Sequence, residues 1–209
     1  KQARAINLLF VGEYSARKNM AWIRHACEAL EGRDDIAIWL RLEPNGTQLP
    51  GAIVELLRGA PQKRPAVKWI DRRVPELRMP SLYRAMDGVI CPGAEGIGLP
   101  ALEATACGVP ALCLDWGASG EMARRWGMPT FKAADEMVDA FAVSGGYGVY
   151  QGGFWGQPDW LDFRAEAVNL VEQRDLLRGA AEVASEKVRA EMGFRAAGQV
   201  WREYVEGLG

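Results

Sequence analysis

An α/β fold, with helices on both faces of a parallel sheet of about six strands, is what this sequence predicts. Three features carry the prediction. Short apolar runs without strict alternation recur up to residue 131, as in strands buried on both faces. Segments with helical periodicity lie between them. The joints are short, which implies right-handed crossovers in a doubly wound sheet. In such sheets ligands bind at the carboxyl ends of the strands.

The elements follow in order. Residues 5–12 are a nearly continuous apolar run ending in Gly12. A polar turn from Glu13 to Asn19 follows, and Asn19 is placed to cap a helix over 20–31. That helix would set Trp22, Ile23, Ala26, Cys27 and Leu30 on one face. Strands are expected at 36–42, 66–70, 88–91, 109–114 and, briefly, 129–131. Helices are expected at 50–58, 79–86, 100–107 and 119–126, with Pro100 at the first helical position. Lys18, Arg72, Glu95 and Glu121 all follow strands, so they should share one rim.

The C-terminal third reads differently. Helices are expected over 160–177, 179–192 and 194–208, packing on the sheet domain. Before them, residues 144–158 mix six glycines with Tyr147, Val149, Tyr150, Phe154 and Trp155. This segment reads as a long flexible loop, either a binding loop or lid or a tolerated surface insertion.

Composition excludes several classes. Hydrophobic residues make up 49% of 209, enough for a sizeable core. A net charge of −2 leaves no broad basic surface, so no nucleic-acid partner is expected. No apolar run reaches the roughly 20 residues that cross a bilayer. Four cysteines without C-x-x-C spacing fit a reducing, cytoplasmic location and argue against structural zinc. The one histidine, His25, lies in the first helix and reads as structural or as a surface residue, so no Ser-His-Asp or Cys-His set can be assembled. The start at Lys1 suggests a fragment of a longer chain.

The chemistry concentrates in E-G-I-G-L-P-A-L-E-A-T-A-C-G-V-P, residues 95–110. Unpaired amides at a helix start favour an anion. Glu95 and Glu103 flank that start, and carboxylates accept hydrogen bonds from sugar hydroxyls. A ligand with both phosphate and sugar would suit the segment.

This block resembles the E-x7-E segment of family-4 retaining glycosyltransferases, usually E-G-F-G-L-P-x-L-E-A-x-A-C-G-x-P, with Ile97 in place of the aromatic. Residues 9–19 resemble the start of that family's donor domain, 67–92 its strand–helix–strand before the motif, and 117–121 its later G-G-x-x-E loop. The resemblance implies one Rossmann-like half of a GT-B fold: the C-terminal donor domain, without the N-terminal acceptor domain. It implies transfer of a sugar from a nucleotide-diphospho-sugar to a hydroxyl, in polysaccharide, lipopolysaccharide or glycolipid synthesis, with the full enzyme peripheral to the cytoplasmic membrane face. It gives Glu103 the ribose, Glu95 the transferred sugar and Lys18 the diphosphate, with the amides of Gly96, Ile97, Gly98 and Leu99 in the loop beside the sugar and diphosphate. Gly12 and Glu13 fall in the donor loop, and Asp71 to Val74 in the nucleobase pocket. No metal or other cofactor is implied, and no D-x-D occurs. The family often sets an arginine five residues before its lysine. Here that position is Glu13, repulsive to a diphosphate unless it turns away or binds a sugar or base; Arg17 could substitute sterically, though its place in the turn is not equivalent.

Two other readings compete. A nucleotide-binding module without turnover would accommodate Glu13. An NAD-binding domain would use Gly96-x-Gly98-x-x-Ala101 as its fingerprint and Asp115 as its ribose acid. Against it, Pro92 to Glu95 separate the strand from the first glycine, and the strand is the fourth.

Overall fold

The computed structural model describes residues 5–42, 49–70, 73–143 and 151–206. Strand β1 (Ile6–Gly12) leads through a 3-10 turn (Ala16–Lys18) to helix α1 (Trp22–Ala29). Then come β2 (Ile36–Leu42), α2 (Leu49–Leu56), β3 (Ala66–Trp69), a second 3-10 turn (Glu76–Arg78) and α3 (Met79–Arg84). The centre is β4 (Gly88–Cys91), α4 (Leu99–Ala106), β5 (Ala111–Asp115) and α5 (Gly117–Trp126). The chain continues with β6 (Thr130–Asp139), a short α6 (Ala140–Val143), β7 (Phe154–Pro158), α7 (Trp160–Glu172), α8 (Arg174–Met192) and α9 (Phe194–Glu206).

The strands form one seven-stranded sheet in the order β3-β2-β1-β4-β5-β6-β7. Six are parallel and β7 is antiparallel. This is a Rossmann-like α/β sandwich. Alternate residues of each central strand feed two cores. Leu8, Phe10, Ile38, Ile90, Leu112 and Leu114 pack against α1 and α7 through Trp22, Ile23, Phe163 and Leu170. Leu9, Val89, Ala111 and Cys113 pack against α3, α4, α5 and α8 through Tyr83, Leu102, Ala123 and Val188. Burial on both faces is why these strands read as unbroken apolar runs.

Three expectations need correction. The segment over 144–158 is not wholly a loop: its last residues form β7, while 144–150 lie outside the described residues. Gly156 in β7 marks close approach, since a Cβ there would stand 2.4 Å from the Trp116 ring. The strand expected at 129–131 runs ten residues, because β6 leaves β5 at Lys132 and pairs onward with β7 around a bulge between Ala133 and Met137. The break expected after 177 falls instead at Gln173, and Gly179 lies inside α8. Asp159 caps α7, accepting from the amides of Leu161 and Asp162.

The four cysteines are free thiols. Among the described residues, no helix is long and apolar enough to cross a membrane. The last helix, α9, leaves Val200, Trp201, Tyr204 and Val205 60–67% exposed.

Candidate functional site

The site forms where the turn after β1 meets the loop after β4. The 3-10 turn ends at Asn19, whose backbone is left-handed (φ 49°), a conformation Asn tolerates better than most side chains. Asn19 does not cap α1; its side-chain amide donates to the Pro92 carbonyl at 2.9 Å. Capping would require extended backbone at the helix start, but the residue there is Ala21, already helical. The Ala94 amide donates to the Arg17 carbonyl at 3.2 Å. Between these bonds, Gly93 lies so close to the turn that a Cβ would come within 3.0 Å of the Arg17 carbonyl oxygen. Two backbones are thereby locked together, and the side chains they carry must meet.

They meet as charges. Lys18, only 8% exposed, donates to Glu95 Oε1. Arg17 donates to Glu95 Oε2 at 2.7 Å and to the Ala94 carbonyl at 3.1 Å. Behind it, Glu13 Oε1 faces Arg17 at 3.4 Å and accepts from the Ser15 hydroxyl at 3.2 Å. Glu13 thus turns its carboxylate to a neighbouring cation. Lys18 and Glu95, assigned to one site from the sequence, are in direct contact.

Past Glu95, Gly96 and Ile97 are exposed and Gly98 turns left-handed (φ 75°) to start α4. No side chain caps this helix start, and Pro100 sits within its first two positions. Glu103, one turn further on, is exposed and accepts from the Tyr83 hydroxyl at 2.7 Å. Burial and the Glu103 charge push the Tyr83 pKa far up, so the phenol stays a donor. Gly12 ends β1 beside the Lys18 stem. Val74 is half-buried beyond β3, Asp71 and Arg72 lie outside the described residues, and Glu121 lies exposed within α5. No group of three or more metal-ligand side chains gathers among the described residues.

Sequence reasoning missed Asn19 as a clamp, Tyr83 as the partner of Glu103, and Arg17 as a member of the charge cluster. The Lys-Asn pair ending a polar turn was the available signal for Asn19, because a left-handed residue is most often Gly or Asn. Asp115, the acid that a dinucleotide fingerprint would offer to a ribose, is paired with Arg124.

The site is thus a lysine, two carboxylates and an uncapped helix start at the carboxyl rim of a doubly wound, Rossmann-like sheet. The family model "Glycosyl transferases group 1" matches residues 5–144, and the chain belongs to that family. It is 38% identical over 84 residues to a D-inositol 3-phosphate glycosyltransferase of Rhodococcus erythropolis, a stretch covering 39% of this chain and 19% of that protein. Its fold is similar to the C-terminal domain of the group 1 glycosyl transferase LpcC from Francisella tularensis (TM-score 0.60, 18% identity, 90% of this chain and 87% of that one). It is also similar to Anabaena HepE in complex with UDP and glucose (TM-score 0.67, 15% identity, 98% of this chain and 49% of that one). The chain therefore matches about a fifth of the curated relative and about half of HepE.

Proposed function

We propose that this chain is the donor-binding domain of a retaining, family-4 glycosyltransferase. It would take a nucleotide-diphospho-sugar and deliver the sugar to a hydroxyl acceptor held by a separate N-terminal domain. The observation that carries the reading is the contact of Lys18 with Glu95 at the mouth of an uncapped helix bearing Glu103. That HepE is seen with UDP and glucose supports a UDP-sugar as the first donor to test.

The roles follow from chemistry. Glu103, held by Tyr83 and exposed, accepts hydrogen bonds from the two ribose hydroxyls. The amides from Gly96 to Leu99 and the Lys18 ammonium hold the diphosphate. When the bond from the anomeric carbon to the β-phosphate oxygen breaks, that oxygen keeps the electron pair. Fixed donors already aimed at it stabilise the new charge without reorganising. Glu95 faces the sugar and favours positive charge at the anomeric carbon. The acceptor oxygen bonds that carbon from the same face and passes its proton to the departing phosphate oxygen. This route uses no metal and no further cofactor, since Lys18 and the helix start supply the charge. Gly12 and Glu13 border the donor, and the segment from Asp71 to Val74 meets the base. The exposed α9 face, Trp201 and Tyr204 included, would lie against the acceptor domain. A setting in polysaccharide, lipopolysaccharide or glycolipid synthesis at the cytoplasmic membrane face rests on the sequence resemblance alone.

Thermal melting with UDP, GDP, ADP and NAD tests this. At a hundredfold excess over Kd, the matching nucleoside diphosphate should stabilise the fold by about 2.7 kcal/mol, on the order of 5–10 °C. Glu103→Ala should abolish the shift. A shift with NAD alone, or with none of the four, would sink the reading.

A further inference from the structure

The charge cluster at the rim raises a problem of balance. Among the described residues, Arg17 and Lys18 contribute two positive charges and Glu13 and Glu95 two negative ones, so these four side chains cancel. A diphosphate brings at least two more negative charges. Lys18 alone cannot offset them while a resident carboxylate occupies it. The geometry shows how the balance can change. Arg17 and Lys18 each hold one oxygen of the same Glu95 carboxylate. A phosphoryl group also presents paired oxygens, and arginine forks onto carboxylate and phosphate alike.

The geometry points to Arg17 as a second diphosphate-binding residue, with Glu95 as an internal stand-in for the phosphate. In the free protein Glu95 holds both cations, one on each carboxylate oxygen. When the donor enters, its β-phosphate takes both cations and Glu95 swings to the sugar. Arg17 stays anchored by the Ala94 carbonyl, which fixes where its guanidinium points. Glu13, half-exposed, turns away to solvent or remains behind Arg17. The cation that the family pattern places at position 13 is then supplied from position 17. Glu13 competes with the donor for it. This inference rests on the donor reading above, and its test separates the two.

The test compares ligands that differ only in the second phosphate. Calorimetry would measure UDP, GDP and ADP on the full chain, take the tightest, and set it against its own monophosphate. Inorganic pyrophosphate is a third probe, without base or ribose. Arg17→Gln should weaken the diphosphate about tenfold and pyrophosphate similarly, as expected for losing a hydrogen bond to a charged group, and the monophosphate by less than twofold. Arg17→Lys keeps the charge without the fork, so it should recover only part of that loss and still weaken the diphosphate more than the monophosphate. Glu13→Gln should tighten the diphosphate severalfold, because it removes a competing carboxylate and leaves the fold intact. A merely structural arginine would weaken mono- and diphosphate equally, and that result would overturn the proposal. So would unchanged diphosphate binding in Arg17→Gln, or weaker binding in Glu13→Gln. Should Arg17→Gln fail to fold, Arg17→Lys and Glu13→Gln decide by the same comparison. If the parent protein binds no nucleoside phosphate, the donor reading falls and this inference with it; if it binds them normally and only the discrimination is missing, this inference alone falls.

Discussion

Two charge clusters, one in the turn before α1 and one along α1 itself, resemble each other in composition. At the rim, Arg17 and Lys18 face Glu13 and Glu95. On the flank, Arg24 and Arg164 face Glu28, with His25 among them. Each joins the same stretch of chain, residues 13–28, to a distant element: the loop after β4 in one case, α7 in the other. Their surroundings differ. The rim cluster lies at the carboxyl ends of β1 and β4 beside an uncapped helix start. The flank cluster borders an open depression of about 720 Å³ between α1, α2 and α7. There His25 stacks on Trp160 at 4.2 Å, and Arg164 donates to both His25 and Glu28. In that setting both arginines already serve Glu28. The contrast shows that paired charges become a site through placement, where strand ends and helix amides converge, and otherwise act as a brace.

The largest expected effect breaks the rim alone. Lys18→Met keeps the aliphatic stem and removes the charge. Nucleoside diphosphate binding should fall by about 2 kcal/mol, roughly thirtyfold in Kd, as for a lost hydrogen bond between charged groups. The ligand-free melting temperature should move little, since Glu95 keeps Arg17. Calorimetry and melting on the same preparation check both. A large loss of Tm with unchanged Kd would make the rim a brace as well.

The matching change on the flank is Arg164→Ala. It leaves Glu28 with Arg24 alone and uncovers one side of His25. The pair is partly exposed, so the expected loss is about 1 kcal/mol, roughly 2–4 °C in Tm for a chain of this size. Nucleotide Kd should stay within twofold. Weakened binding would show that the flank communicates with the rim, and the contrast drawn above would fail.

The two clusters were not equally legible in the sequence. The strands β1, β2, β4 and β5 read directly, because burial on their two faces writes nearly continuous apolar runs; β3 lies exposed at the sheet edge. The rim read well because its parts lie in two short segments, each directly after a strand. What joins those segments did not read: the left-handed Asn19 resembled a helix cap, and the Arg17 bond to Glu95 spans 78 residues. The flank did not read at all, since Arg164 meets Glu28 across 136 positions and no local pattern announces it. β7 stayed hidden because Gly156 looks like flexibility in sequence, whereas in space it makes room for Trp116. Local periodicity shows which face is buried; it says nothing about which distant partner completes a charge.

The smallest effect, and the most specific to the flank, is a pH dependence. Burial first, then the Arg164 charge, lower the His25 pKa below its usual value near 6.5; Glu28 opposes them and Arg24 adds to them. The folded protein therefore takes up its proton at lower pH than the unfolded chain does. As pH falls below about 6.5 the unfolded state binds more protons, and the stability present above that value is lost toward the lower folded pKa. His25→Phe keeps a ring against Trp160 and cannot titrate. The melting temperature of the parent should therefore decline between pH 7.5 and 5.5 more steeply than that of His25→Phe. Glu28, the carboxylate of this cluster, has its pKa lowered, mainly by the Arg24 hydrogen bond, and so keeps its charge through that window. Lys18→Met should follow the parent through the same range, because the flank is intact in it. Equal slopes in parent and His25→Phe would show that the imidazole meets no penalty on charging, and the flank would then be an ordinary solvated surface and no brace.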